Sequence, residues 1–367
     1  MVKRVKIGIL TFHNAINYGA VLQAYATQHF LEKQGYDVEV IDYRSKAIEN
    51  SYLRYTFGWK RMLYRKPWHI LEFLITSFWF NKKKKKIDAF NKVHLKYSLS
   101  VYHREEPYCM DYDVYLIGSD QVWNPNFTDG FDPFYWGCFY RKPKSKLIAW
   151  SVSTKEKALE KKEKELIVSY IEQFDAISVR ETQLKVFLES LTNKSIHLTL
   201  DPTLLLSKIE WGKFCKPVEE CQYVLVYAMQ DEDMVISKAK LLAEKKRKNL
   251  IVINPYSNSI IKTGYKQCLS PVEFLSYFNS ADFVFSASFH GTAFSLIFEK
   301  QFYCFIKKGS SNVRIESLLI RLNLEDRIVN EIESFSLSHT IDYRGVENKI
   351  SLLIKETSDF LLGNINR

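Results

Sequence analysis

The chain is poor in the residues that mark several common protein classes. Its 367 residues include only 13 Gly and 9 Pro, which excludes collagen-like and low-complexity chains. Its six cysteines (Cys109, Cys138, Cys215, Cys221, Cys268 and Cys304) are scattered, and no two form a C-x-x-C pair. The spacing of zinc and thioredoxin-like sites is therefore missing. No G-x-G-x-x-G follows the first predicted strand, so dinucleotide binding gains no support. No apolar run reaches the ~20 residues of a membrane-spanning helix. The nearest, residues 67–80, is interrupted by His69 and Glu72. Lys3, Arg4 and Lys6 precede only a short apolar run, residues 7–12, with no small-residue cleavage site. The expectation is a cytosolic chain with free thiols. Asp231-Glu232-Asp233 stands where a helix begins, so it reads as acidic residues complementing the helix dipole and not as metal ligands. No metal site and no cofactor are expected.

What the chain does have is an apolar fraction of 46%, too high for a disordered chain, and a length suited to two domains. The formal charge is +10, but it is local. Residues 52–86 hold ten Lys or Arg against Glu72 alone, so the other 332 residues sum to about +1. A global nucleic-acid footprint is absent. The same segment holds ten aromatics, including Trp59, Trp68 and Trp79. Basic and aromatic residues so interleaved compose an interfacial membrane anchor, which would place the protein peripherally on an anionic inner leaflet. The other reading is a helical insertion whose aromatics pack on the first domain.

The pattern of elements is α/β. Residues 5–10 read as a buried strand, 20–33 as a helix ending at Gly35, and 37–43 as a second strand. Further strands are expected at 114–117, 147–152, 176–179 and 197–200, with a charged helix over 156–174. A second series starts at Tyr223: strands at 223–229, 250–253, 282–285 and 301–306, and helices at 232–247, 271–279 and 292–300. Ser270-Pro271 supplies an N-cap and a first-turn proline. The predicted architecture is two Rossmann-like domains facing across a cleft, residues 1–205 and 206–367, with a closing helix over 347–362.

The distinctive loops fall at the carboxyl ends of strands, where such sheets bind ligands. Ser288-Phe289-His290-Gly291-Thr292 places His290 at a helix N-terminus, where backbone N–H groups favour an anion. An N-capping turn with a packed histidine reads equally well. Arg180, after the strand 176–179, offers a planar fork to phosphate or carboxylate; a salt bridge to Glu181 or another carboxylate is the plainer reading. Asn312 and Arg314 lie in a polar loop after another strand, suited to an anion or to solvent. Asp120, Gln121, Trp123 and Asn124 combine carboxylate, amides and indole, the mixture that binds a sugar. An Asx turn with a half-buried Trp would look the same. Asn17 and Tyr18, after the first strand, are placed to serve the same acceptor.

Taken together, the blocks GILTFHNAINYGAVLQAYA, YLIGSDQVWNP, FDAISVRE, LDPTLLL and ADFVFSASFHGTAFSLIF with NVRIESLLIRLNLEDR resemble the polysaccharide pyruvyl transferase family, especially its bacterial capsule and exopolysaccharide branch. The resemblance implies a fold similar to two-domain GT-B glycosyltransferases. It implies transfer of pyruvyl from phosphoenolpyruvate to a sugar as a cyclic ketal. By the same resemblance His290, Arg180 and Arg314 fall in the phosphoenolpyruvate site, alongside Ser288, Gly291, Thr292 and Asn312. Phe12 and Tyr18 are the nearest equivalents of aromatic acceptor contacts. The expected catalytic residues are His290 as acid, Arg180, and Asp120 as base toward a free or lipid-linked acceptor. A glycosyltransferase using a nucleotide sugar is the alternative.

Overall fold

A computed structural model describes residues 4–50, 67–103, 110–154, 160–227, 232–254, 265–306, 313–329 and 340–366. Asn312 and residues 52–66 of the basic segment lie outside them.

The first half builds a seven-stranded sheet from β1 (Lys6–Leu10), β2 (Asp37–Tyr43), β3 (Tyr97–Tyr102), β4 (Val114–Gly118), β5 (Lys146–Val152), β6 (Ala176–Val179) and β7 (Ile196–Leu198). Their order is β3-β2-β1-β4-β5-β6-β7, and every pairing is parallel. Its helices are α1 (Tyr18–Lys33), α2 (Pro67–His94), α3 (Lys161–Ile171) and α4 (Thr182–Glu189). The second half builds a six-stranded sheet from β8 (Tyr223–Tyr227), β9 (Asn249–Ile253), β10 (Tyr265–Lys266), β11 (Phe283–Ser286), β12 (Gln301–Phe305) and β13 (Ile328–Val329). Its order is β10-β9-β8-β11-β12-β13, again all parallel. Its helices are α5 (Glu232–Lys246), α6 (Pro271–Ser280), α7 (Phe289–Ile297) and α8 (Val313–Leu322), and α9 (Tyr343–Asn366) closes the chain.

The expected pair of Rossmann-like sheets is therefore present. Its cause is legible in strands such as VYLIG and YVLVY, which are buried throughout, as strands covered on both faces must be. Strand order reverses between β1 and β4, and again between β8 and β11, opening a crevice at the carboxyl ends.

The halves meet through apolar packing. The Tyr18 ring stacks on Phe274 at 4.8 Å, and Tyr25 lies 5.7 Å from Trp211, which meets Phe294 at 5.3 Å. The closing helix α9 belongs by sequence to the second half but packs on the first sheet. Phe360 stacks over Trp150, Leu200 N donates to Thr357 Oγ1 at 3.0 Å, and Lys146 Nζ donates to the carbonyls of Asn364 and Ile365.

The lysine run Lys82–Lys86 is not a loop. It continues α2, a helix of 28 residues, because Phe80, Lys83, Ile87, Phe90 and Asn91 fall on one buried face. Lys83 is 4% exposed and its ammonium lies 4.5 Å from the Tyr18 ring. Burial lowers its pKa to about 8. Lys86 pairs with Glu273 of α6 at 2.7 Å. So two of the five lysines brace the fold, Lys83 from within it and Lys86 from its partly exposed rim. Among the described residues, no helix is long and apolar enough to cross a membrane.

Candidate active site

Loops after β1, β4, β5, β6 and β7 converge on the N-terminus of α7 from the second half. Backbone geometry is specialised here. Gly118 has φ +132, and a Cβ on it would come within 2.0 Å of the Trp150 carbonyl. Asp120 and Ser151 adopt φ of 65 and 46, the left-handed region that few non-glycine residues occupy.

At the centre is a buried ion pair. Arg180 faces Asp201 at 2.6 Å, with side-chain exposures of 2% and 0%. The guanidinium also donates from Nε to the Ser151 carbonyl at 2.9 Å and from a terminal nitrogen to Ser119 Oγ. Asp201 caps the turn that follows it, accepting from Thr203 N at 2.8 Å. Burial works to raise the Asp201 pKa, but the charge of Arg180, with His290 and Thr203, outweighs it and holds the carboxyl well below its ordinary value. The other Asp201 contact is His290 Nε2, at 3.7 Å. The His290 ring lies flat against the start of α1: a Cβ on Gly19 would fall 2.0 Å from Nδ1. His290 thus sits between Asp201 and Gly19, 7% exposed.

Beside this cluster stands a less buried cation. Arg314, at the start of α8, keeps 20% of its side chain exposed and lies 4.0 Å from Glu181 Oε1. The guanidiniums of Arg314 and Arg180 both approach the Phe289 ring, at 5.7 Å and 5.5 Å. Burial lowers the pKa of Arg314, opposed by Glu181 and Asp120; the side chain stays cationic. Glu181 accepts a hydrogen bond from Ser153 Oγ. Its burial pushes the carboxyl up to about 7, against the pull of Arg314, Ser153 and Arg180.

Next to it opens a cleft of about 600 Å³ lined by Phe12, Asn17, Asp120, Gln121, Asn126, Phe127 and Asp129 among others. Its polar lining suits hydroxyl groups. Phe127 is 49% exposed and its ring meets Phe12 edge-on at 6.4 Å. Asn17 spends one oxygen capping α1, through Gly19 N at 2.9 Å.

The structure brings Asp120, Arg180, His290 and Arg314 together, and places Phe12, Asn17, Asp120 and Gln121 on one cleft. Other expectations need correction. Trp123 offers no ring face to a sugar: it is 2% exposed, stacks on Trp136 at 4.2 Å, and donates from Nε1 to the Tyr135 carbonyl. Tyr18 is fully buried between the two halves. Asn124 is 1% exposed and caps a short helical turn through Asn126 N. Thr292 is fully buried, its hydroxyl bonded to the Ser288 carbonyl and Cys304 Sγ, so it cannot contact a donor. Ser288 and Gly291 need no correction: Ser288 is the N-cap of α7, and Gly291 lies in its first turn against Ser286, where a Cβ would fall 2.1 Å from Oγ. Arg180 was expected to grip the donor; in this structure its guanidinium meets Asp201, the Ser151 carbonyl and Ser119 Oγ. The sequence reading missed Asp201 and Phe127 as site residues, and took Glu181 only as a partner of Arg180. Asp201 had a signal in LDPTLLL, but Asp-Pro reads first as a helix cap. Phe127 had none beyond standing in a turn-rich stretch. Among the described residues, no group of three or more His, Cys, Asp or Glu is placed to hold a metal ion.

Charged groups held out of water at the carboxyl ends of two parallel sheets, beside an open polar cleft, define an enzyme site. The chain belongs to the polysaccharide pyruvyl transferase family, whose model matches residues 17–306. No curated protein matches the chain. Solved structures similar in outline include UDP-N-acetylglucosamine 2-epimerase from Rickettsia bellii (TM-score 0.46, 11% identity, covering 99% of this chain and 98% of that one). The glycosyltransferase SnogD from Streptomyces nogalater is another (TM-score 0.43, 8% identity, covering 98% and 96%).

Proposed function

We propose that the protein transfers the pyruvyl group of phosphoenolpyruvate to a sugar of a polysaccharide repeat unit, forming a cyclic ketal and releasing phosphate. The observation that carries this reading is the position of Asp120. It lines the polar cleft and its charge also acts on Arg314, so an acceptor in the cleft would meet a donor held at Arg314. In this reading residues 1–205 carry the acceptor and 206–367 the donor. Arg314 and the free N–H groups at the start of α7 bind the donor's phosphate and carboxylate. His290, 3.7 Å from Asp201, gives a proton to the methylene carbon, and the resulting cationic carbon is attacked by a sugar hydroxyl whose proton passes to Asp120. Phosphate then leaves and a second hydroxyl closes the ring, its proton returning to His290. Phe127 takes the sugar-stacking place first assigned to Trp123. The test is phosphate release from phosphoenolpyruvate across a panel of hexosides, with mass spectrometry for the pyruvyl increment. Release of a nucleotide from a nucleotide sugar instead would refute it.

The exposed face of α2 supports a site of action at a membrane surface. Leu71, Leu74 and Phe78 are 52%, 57% and 61% exposed and share a face that continues to Lys82 and Lys85. An apolar stripe ending in lysines suits the surface of an anionic membrane, where a lipid-linked acceptor would be met. Leu74→Asp with Phe78→Asp should abolish co-sedimentation with anionic liposomes; equal pelleting of the variant and wild type would end the idea.

A further inference from the structure

Arg314 faces a buried carboxylate before any ligand arrives. Its Nε lies 4.0 Å from Glu181 Oε1. Glu181 is 2% exposed, its Oε1 accepts from Ser153 Oγ, and its Oε2 has no hydrogen-bond partner among the described residues. An anion bound at Arg314 would therefore enter beside a buried carboxylate. Like charges held close in a low-dielectric site do not both persist, and the weaker acid takes up a proton.

We propose that Glu181 is a proton-coupled latch on the anion site: as carboxylate it faces Arg314 and opposes an entering anion, and a dianion binds there by driving a proton onto Oε2. This deepens the function proposed above, resting on its placement of the anion at Arg314 but not on which anion is the substrate. The charge count supports it. Facing Glu181 are Arg180 on its own segment and Arg314 from α8. Asp120 lies after β4, Asp201 after β7, and His290 at the start of α7. Among the described residues, two arginines against three carboxylates leave no cationic surplus while His290 is neutral. One proton on Glu181 cancels that deficit and leaves the charge of Arg314 to the anion. The Glu181 carboxyl titrates near pH 7 because of its burial, so the exchange costs little at neutral pH. The step breaks no bond other than O–H of the water or buffer acid that supplies the proton.

The experiment is calorimetric titration with sulfate, which stays dianionic from pH 6 to 8.5, in buffers of different ionisation enthalpy. At pH 8 the wild type should take up about one proton more per sulfate bound than Glu181→Gln, since one carboxyl is converted. Its affinity should fall up to tenfold more than the variant's for each pH unit above 7. Glu181→Gln should bind sulfate more tightly than wild type at pH 8. Ser153→Ala, which removes a hydrogen bond that favours the carboxylate, should move the wild-type transition to higher pH. Thermal melting of each variant checks folding. Equal proton uptake by wild type and Glu181→Gln would overturn the proposal, as would weaker binding by the variant or no sulfate binding by either. Proton-coupled sulfate binding without phosphoenolpyruvate turnover would uphold the latch while refuting the proposed function.

Discussion

Gly19→Ala is the sharpest available perturbation, because its effect hangs on one contact between the two halves. The added Cβ would lie 2.0 Å from His290 Nδ1, 2.3 Å from Cγ and 2.4 Å from Cε1. Ordinary contact begins at 3.4 Å, so the ring must retreat by about 1.4 Å. The ring is buried against Asp201, and the backbone beneath it opens α1, so neither side gives easily. Overpacking of this kind costs about 1–3 kcal/mol. A shift of about 1 Å in a reacting group costs about a hundredfold in rate. The decisive assay is urea unfolding of Gly19→Ala in two backgrounds. With His290 present the change should destabilise. With His290→Ala there is no ring to meet, and replacing a helical glycine should stabilise by about 0.5–1 kcal/mol. The sign should therefore reverse. Gly19→Ala with wild-type stability and turnover, or the same cost in both backgrounds, would refute the contact.

Phe127→Ala should leave stability within about 0.5 kcal/mol but raise the acceptor KM about tenfold, the worth of one stacking contact, in steady-state kinetics. Trp123→Ala should instead cost about 3–5 kcal/mol by urea unfolding, as a core cavity does. Asp201→Asn strands the buried Arg180 and should lower stability by about 3–5 kcal/mol in the same assay. Asp42 tests acid behaviour. Burial would raise its pKa, but His13 and Arg44 hold it at about 2. Its stabilisation, about 2 kcal/mol, should be complete above pH 4 and lost as pH falls toward 2. Melting curves of Asp42→Asn and wild type should therefore converge at low pH.

The fold was largely legible because parallel strands advertise themselves. Ile7–Leu10, Val114–Gly118 and Tyr223–Tyr227 are apolar runs that can only be buried on both faces. Strand β3 was not, since its sequence YSLSVY leaves Leu99 and Val101 exposed at the sheet edge, and an edge strand need not look apolar. The lysine run was legible only in part. Charge marks a surface only on average, and Lys83 is turned inward by the spacing of Phe80, Ile87 and Phe90 while Lys86 reaches Glu273 at the rim. At the site, the residue types were readable and their partners were not. Arg180 announces an ion pair but not that Asp201, about twenty residues on, completes it. Trp123 and Phe127 stand four residues apart, and only the stacking of Trp136 on the former decides which ring meets the cleft.

The return of α9 onto the first sheet has a consequence for biosynthesis. The strands of that sheet are complete once Leu198 has been made, yet Trp150 and the Leu200 backbone wait for Phe360 and Thr357 to cover them. At about 5–20 residues per second that wait lasts about 8–30 s on the ribosome. For that interval the nascent half-protein carries an uncovered tryptophan face. A stop codon anywhere before α9 would make the exposure permanent, so a shortened chain would be expected to be a client of chaperones and not a smaller enzyme.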